Sequence, residues 1–79
     1  MTNGRLLWVD DEMELLRAHI IFLEKKGYEV VTVTNGTDAI EECRRQTFDL
    51  IMLDEMMPGL TGLETLQQIK EIPPATPVV

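Results

Sequence analysis

The sequence predicts an open α/β fold built on a parallel sheet, and three observations lead there. Short apolar runs alternate with helical patterns in the order β-α-β-α-β-α. One run, "FDLIML" (48–53), is unbroken over its last four residues, which reads as a strand buried on both faces, as strands of parallel sheets are. Carboxylates follow directly on two of the runs, Asp10 and Asp11 on the first and Asp54 on the third.

Each element has its own signal. "RLLWV" (5–9) is short, rich in strand formers and stops at the acidic triplet "DDE", which suits a strand running into a helix. From residue 13 to 26, Leu16, Ile20 and Leu23, flanked by Met13 and Ile21, recur at helical spacing and predict an amphipathic helix. Gly27 stops it, and the lysines before it suit the negative end of the helix dipole. "YEVVTV" (28–33) is a second strand, and "TNGT" (34–37) turns the chain. A helix over 37–45 follows, with Ala39, Ile40 and Cys43 on its inner face, then the third strand. Pro58 and Gly59 suit a tight turn, and a third helix over 62–70 has Leu63, Leu66 and Ile69 spaced for packing. "EIPPATPVV" is expected to be a proline-rich loop and the start of a fourth strand.

Composition narrows the function classes. A chain of 79 residues, 44% hydrophobic, is one domain at the lower end of what builds its own core. The formal net charge of −7 argues against direct nucleic-acid binding and suits cations, although most of the glutamates read as solvated helix faces. Cys43 stands alone and cannot form an internal disulfide; as an inward helical residue it reads as a small buried thiol. No run approaches the roughly 18 apolar residues of a membrane span, and the acidic amino terminus is unlike a secretory signal, so a cytoplasmic location is expected. His19 reads as a surface residue and Trp8 as core, and the methionines are not spaced as a cofactor box.

The strand ends carry the chemistry. In open α/β sheets, ligands bind outside the carboxyl ends of the strands near the switch in strand order. A 2-1-3 order makes the first and third strands neighbours and brings Asp10, Asp11 and Asp54 to one edge. Three close carboxylates repel one another, and a hard dication with oxygen ligands, magnesium above all, relieves that.

"LLWVDDE" followed by "LDEMMPGLTGLETL" resembles the receiver domain of two-component response regulators, a flavodoxin-like fold, and the resemblance covers essentially the whole chain. It implies that Asp54 is the phosphoacceptor for a sensor histidine kinase or phosphotransfer protein. It further implies that Asp11 and Asp54 ligate Mg2+ directly, that Asp10 acts through a coordinated water, and that the Met56 backbone carbonyl adds an oxygen. Met57, Pro58, Gly59 and Gly62 match the loop pattern that follows the acceptor. The Met56 side chain is expected to overhang the phosphoryl site and limit the approach of water. The module implied is a signalling acceptor and not an enzyme.

Receiver domains have five strands and five helices, and residues 1–79 match only the portion up to the start of the fourth strand. The family's hydroxyl residue after that strand, its switch aromatic and its lysine have no counterpart among these residues, nor does an effector domain. An apolar edge of the third strand, with Leu50, Ile51 and Leu53, is therefore expected to be exposed and to invite a dimer or strand exchange. The local wording resembles regulators whose receiver precedes a PglZ-type, alkaline-phosphatase-like effector associated with type IX secretion. Two other readings stay open. A haloacid-dehalogenase-like phosphatase also has a nucleophilic Asp after a buried strand, but wants a second Asp where Met56 stands. A receiver-like interaction module that no longer uses phosphate is the other.

Overall fold

The computed structural model describes residues 3–53, 62–73 and 76–79, apart from the Met13 side chain. Three parallel strands form the sheet: β1 (Gly4–Val9), β2 (Tyr28–Val33) and β3 (Leu50–Leu53), in the order β2-β1-β3. Helices α1 (Arg17–Lys25), α2 (Gly36–Arg45) and α3 (Gly62–Lys70) connect and cover them. β1 is the central strand and pairs with both of the others. Val9 lies opposite both Val33 and Leu53, and Leu7 opposite both Val31 and Ile51.

The core lies on one face of the sheet. Leu7, Val9 and Ile51 are fully buried there with Ala39 and Ile40 of α2, Phe48, and Ile69 of α3. α1 covers the opposite face and packs against β2, and none of its residues is fully buried. That asymmetry corrects the expectation that the third strand is buried on both faces. Ile51 is buried, while Leu50 and Met52, which point the other way, are only half-buried because α1 lies over β2. The strand is also shorter than 48–53: Phe48 already sits in the core, but the first bond to β1 is from the Asp49 N–H to the Arg5 carbonyl at 2.8 Å.

The helices begin differently from the expectation, for local reasons. Instead of one helix from residue 13, a 3-10 turn over Met13–Leu16 precedes α1. The Glu12 side chain caps no amide of this turn, and the Leu15 N–H reaches back to the Glu12 carbonyl at 3.0 Å, so the first turn winds tightly. α2 starts one residue earlier than expected because Asn35, read as part of a turn, is its cap. The Asn35 Oδ1 accepts from the Asp38 N–H at 2.8 Å, and its Nδ2 donates to the Asp38 carboxylate at 2.9 Å. In α3 the buried stripe is Gly62, Thr65 and Ile69; Leu63, expected inside, is 63% exposed.

Gly27 joins α1 to β2 at φ +95°, a conformation side-chain-bearing residues rarely adopt, and a Cβ there would sit 2.8 Å from Asn3. Asn3 is close because it ties this junction down: its side chain donates to the Lys26 carbonyl at 2.6 Å and its N–H to the Gly27 carbonyl at 2.7 Å.

The edge of β3 is not free, which corrects the expectation of an exposed apolar edge. Residues 77–79 lie alongside it, with the Ile51 N–H donating to the Pro77 carbonyl and the Leu53 N–H to the Val79 carbonyl, each at 3.0 Å, and a parallel bridge between Ile51 and Val78. Lys70 supports the approach of this segment, its Nζ donating to the Thr76 carbonyl at 3.2 Å. The unsatisfied backbone groups are thereby moved from an apolar strand to a short terminal one.

Candidate functional site

The sheet's carboxyl-terminal edge assembles the candidate site. The β1–β2 ladder continues one bond past Val9, the Asp10 N–H donating to the Val33 carbonyl at 3.1 Å, so the backbone of Asp10 is held as the chain leaves the sheet. The side chain is held too: its Oδ1 accepts from the Glu12 N–H at 2.8 Å, a turn closed by an aspartate on the backbone two residues on. Asp10 is half-buried and Asp11 is exposed.

β3 ends at the same level, with Leu53 opposite Val9. Asp10 follows one strand in sequence and Asp54 the other. Asp54 lies outside the described residues, as do Met56, Met57, Pro58 and Gly59. Gly62 is the buried first residue of α3, and with Leu53, Leu66 and Val78 it lines an apolar cavity of about 140 Å³.

Beside the aspartates, Asp11, Glu12, Glu14, Leu15 and Thr34 line an open depression of about 430 Å³. The lining offers carboxylates and a hydroxyl and no basic side chain. Among the described residues no three His, Cys, Asp or Glu side chains come together as a metal-binding group. Asp10 and Asp11 supply two carboxylates where the chain leaves β1, and Glu12 and Glu14 line the depression beside them. A set of oxygen donors alone, with room for water, fits Mg2+. Sequence reasoning missed the Glu12 N–H and Thr34. The first was legible in principle, since an aspartate two residues before a helix start often closes such a turn; Thr34 reaches the site only through strand order.

The other singled-out residues take structural places. Cys43 is half-buried against the core, and burial, helped by the neighbouring Glu42 carboxylate, pushes its thiol pKa up. His19 is exposed on α1, its ring 6.4 Å from that of the half-buried Trp8. No helix among the described residues is long and apolar enough to cross a membrane.

A parallel sheet in this order, with paired aspartates after its central strand, defines the class of protein, and comparison with known sequences and structures agrees. Residues 6–79 match the response regulator receiver domain family, and the chain belongs to it. It is 37% identical over 79 residues to the uncharacterized transcriptional regulatory protein YkoG of Bacillus subtilis, covering 100% of this chain and 35% of that one. It is 40% identical over 75 residues to the transcriptional regulatory protein ResD of the same organism, covering 95% of this chain and 31% of that one. The chain thus spans about a third of the length of these relatives. Among solved structures, the response regulator TrrA of Thermotoga maritima in complex with Mg2+ and BeF superposes with a TM-score of 0.84 at 33% identity, over 99% of this chain and 66% of that one. TrrA has also been solved in complex with the histidine kinase ThkA.

Proposed function

We propose that residues 1–79 are the amino-terminal portion of a receiver domain in which Asp54 accepts a phosphoryl group from a sensor histidine kinase or phosphotransfer protein. One observation carries the reading: Val9 and Leu53 are in register, so the chain leaves both strands at one level, with Asp10 next in sequence after one and Asp54 after the other. The Mg2+–BeF complex of TrrA and its complex with a kinase support it by likeness. The location proposed is cytoplasmic.

Phosphoryl transfer is chiefly positioning and charge neutralisation. An oxygen of the Asp54 carboxylate forms a bond to phosphorus while the bond from phosphorus to the donor's imidazole nitrogen breaks, and the electron pair leaves with the imidazole. The product is an acyl phosphate on Asp54. Asp11 and Asp54 would hold Mg2+ directly, with Asp10 acting through water and the Met56 carbonyl as a further ligand; the ion supplies charge neutralisation between carboxylate and phosphoryl oxygens. Asp10 is already oriented by the Glu12 N–H, so little ordering remains when the ion binds. By the resemblance, Met57, Pro58, Gly59 and Gly62 would shape the loop that follows the acceptor. The acceptor is consumed once per transfer, which is signalling chemistry and not turnover.

The output is read from wording alone. The resemblance to regulators with a PglZ-type effector linked to type IX secretion points to a controlled metallohydrolase, whereas the names of the curated relatives favour a transcriptional output. A phosphorylation-dependent hydrolase activity in the parent protein supports the first, and phosphorylation-dependent DNA binding the second. A dimer through the outer side of residues 77–79 is the self-association this reading allows.

The decisive experiment is incubation of the parent protein with Mg2+ and acetyl phosphate, followed by mapping of the modified residue. Hydroxylamine-sensitive label on Asp54, lost in Asp54→Asn, is the expected result. Continuous release of phosphate without stable label would return the phosphatase reading, and no label at all the interaction-module reading.

A further inference from the structure

The sheet's other edge bears a second feature that phosphoryl transfer does not use. Among the described residues β2 pairs only with β1. The bond from Asp10 to the Val33 carbonyl fixes the phase of that ladder: Glu29, Val31 and Val33 direct their backbone groups to β1. By the alternation of a strand, the N–H and C=O groups of Tyr28, Val30 and Thr32 are directed outward. Immediately above this edge, α1 leaves an open groove of about 430 Å³ against the strand. Its floor is Ile20, Ile21, Val30 and Thr32, with Ile21 45% exposed, and its rim is Glu14, Arg17 and Glu24.

We propose that this groove and the β2 edge together bind an extended basic peptide segment, which adds to the sheet as a fourth strand beside β2. Main-chain bonds to Tyr28, Val30 and Thr32 supply the affinity, and the groove reads alternate side chains. Glu14 and Glu24, which stand on either side of Arg17 in the sequence and leave the rim net acidic, set the pattern. Glu14 and Glu24 are ten positions apart along the helical segment, roughly 15 Å, and two side chains four residues apart on one face of a strand are about 13 Å apart. The ligand is therefore basic-x-apolar-x-basic, its two cations meeting Glu14 and Glu24 and its central apolar side chain resting on Ile20, Ile21 and Val30. A second copy of this chain is a poor occupant, because each carries a net charge of −7 and would oppose its own acidic rim to the other's.

The test uses the isotope-labelled 79-residue chain and two probe peptides, Gly-Lys-Thr-Val-Thr-Lys-Gly and its Glu-for-Lys counterpart, followed by two-dimensional amide NMR at low salt. Saturable shifts at Val30, Thr32, Ile20 and Ile21 are expected with the Lys peptide only, weakening as salt is raised. Glu14→Lys combined with Glu24→Lys is expected to weaken the Lys peptide by at least about tenfold and to transfer preference to the Glu peptide. Thr32→Pro, which removes an outward N–H on an edge strand, is expected to abolish the β2 shifts. The exposed charge exchange leaves the core untouched, so it decides the question even if Thr32→Pro unfolds. Unsaturable shifts, shifts confined to other surfaces, equal binding of both peptides, or self-association that shifts the β2 amides without peptide would each overturn the proposal.

Discussion

Single residues show how much of the site the strand ends fix. Asp10 is held by two backbone bonds, one made by its amide and one by its carboxylate. Asp10→Ala is therefore expected to lose both Mg2+ affinity and local order at the Glu12 turn, while Asp11→Asn should lower affinity alone; Mg2+ titration followed by Trp8 fluorescence separates the two. Met56→Asn is expected to speed loss of the phosphoryl group several-fold, and an unchanged rate removes the proposed shielding by that side chain. Cys43 gives a pH signature. Because burial raises the thiol pKa, the folded state holds the proton more tightly than the unfolded chain does. That stabilisation is complete below the ordinary thiol pKa and is lost as pH rises through the higher folded value. Alkylation of Cys43 by iodoacetamide near pH 8 should accordingly be slower in the native chain than in urea. The place of Asp10 was legible from position alone, directly after an apolar run, with Asp11 next to it. The second bond that orients Asp10 was not, because it depends on the path of the chain after the strand.

At the scale of elements, the sequence marked what exists better than where it starts. Hydrophobic spacing located all three helices, but their beginnings depend on which side chain reaches which amide. Asn35 caps α2 with a reciprocal pair of bonds to Asp38, and Asn35→Ala is expected to cost about 1 kcal/mol in chemical denaturation. Neither Glu12, before the 3-10 turn, nor Leu16, before α1, makes such a side-chain cap. The apolar spacing of α3 pointed to Leu63, yet Thr65 is the residue turned inward; periodicity fixes a face only to within a neighbouring position when the helix packs on one side. Gly27 was legible as a helix stop, although the close approach of Asn3 was not. Gly27→Ala combines a strained φ with that contact and should destabilise by more than about 1 kcal/mol, with Asn3→Ala relieving part of the loss.

For the whole molecule, parallel order and the position of the candidate site at its carboxyl-terminal edge could be read from the alternation of elements. Which strand lies next to which became certain only from the ladders; "TPVV" was legible as the start of a fourth strand, but not that so short a segment already covers the edge of β3. Deleting residues 77–79 should leave the Ile51 and Leu53 amides unpaired and increase self-association, as light scattering would report. Leu7→Ala, at the fully buried centre of the sheet, is expected to cost about 2–5 kcal/mol, a large share of the stability of so small a domain. The central place of β1 bears on the order of assembly. β1 precedes both of its neighbours in the chain, and the bond from the Arg5 N–H to the Asp49 carboxylate, 2.7 Å long, spans 44 residues. A nascent chain emerging from a ribosome therefore cannot complete its middle strand until the third has followed it out. Until then β1 has an unpaired side that a chaperone or a neighbouring nascent chain can reach.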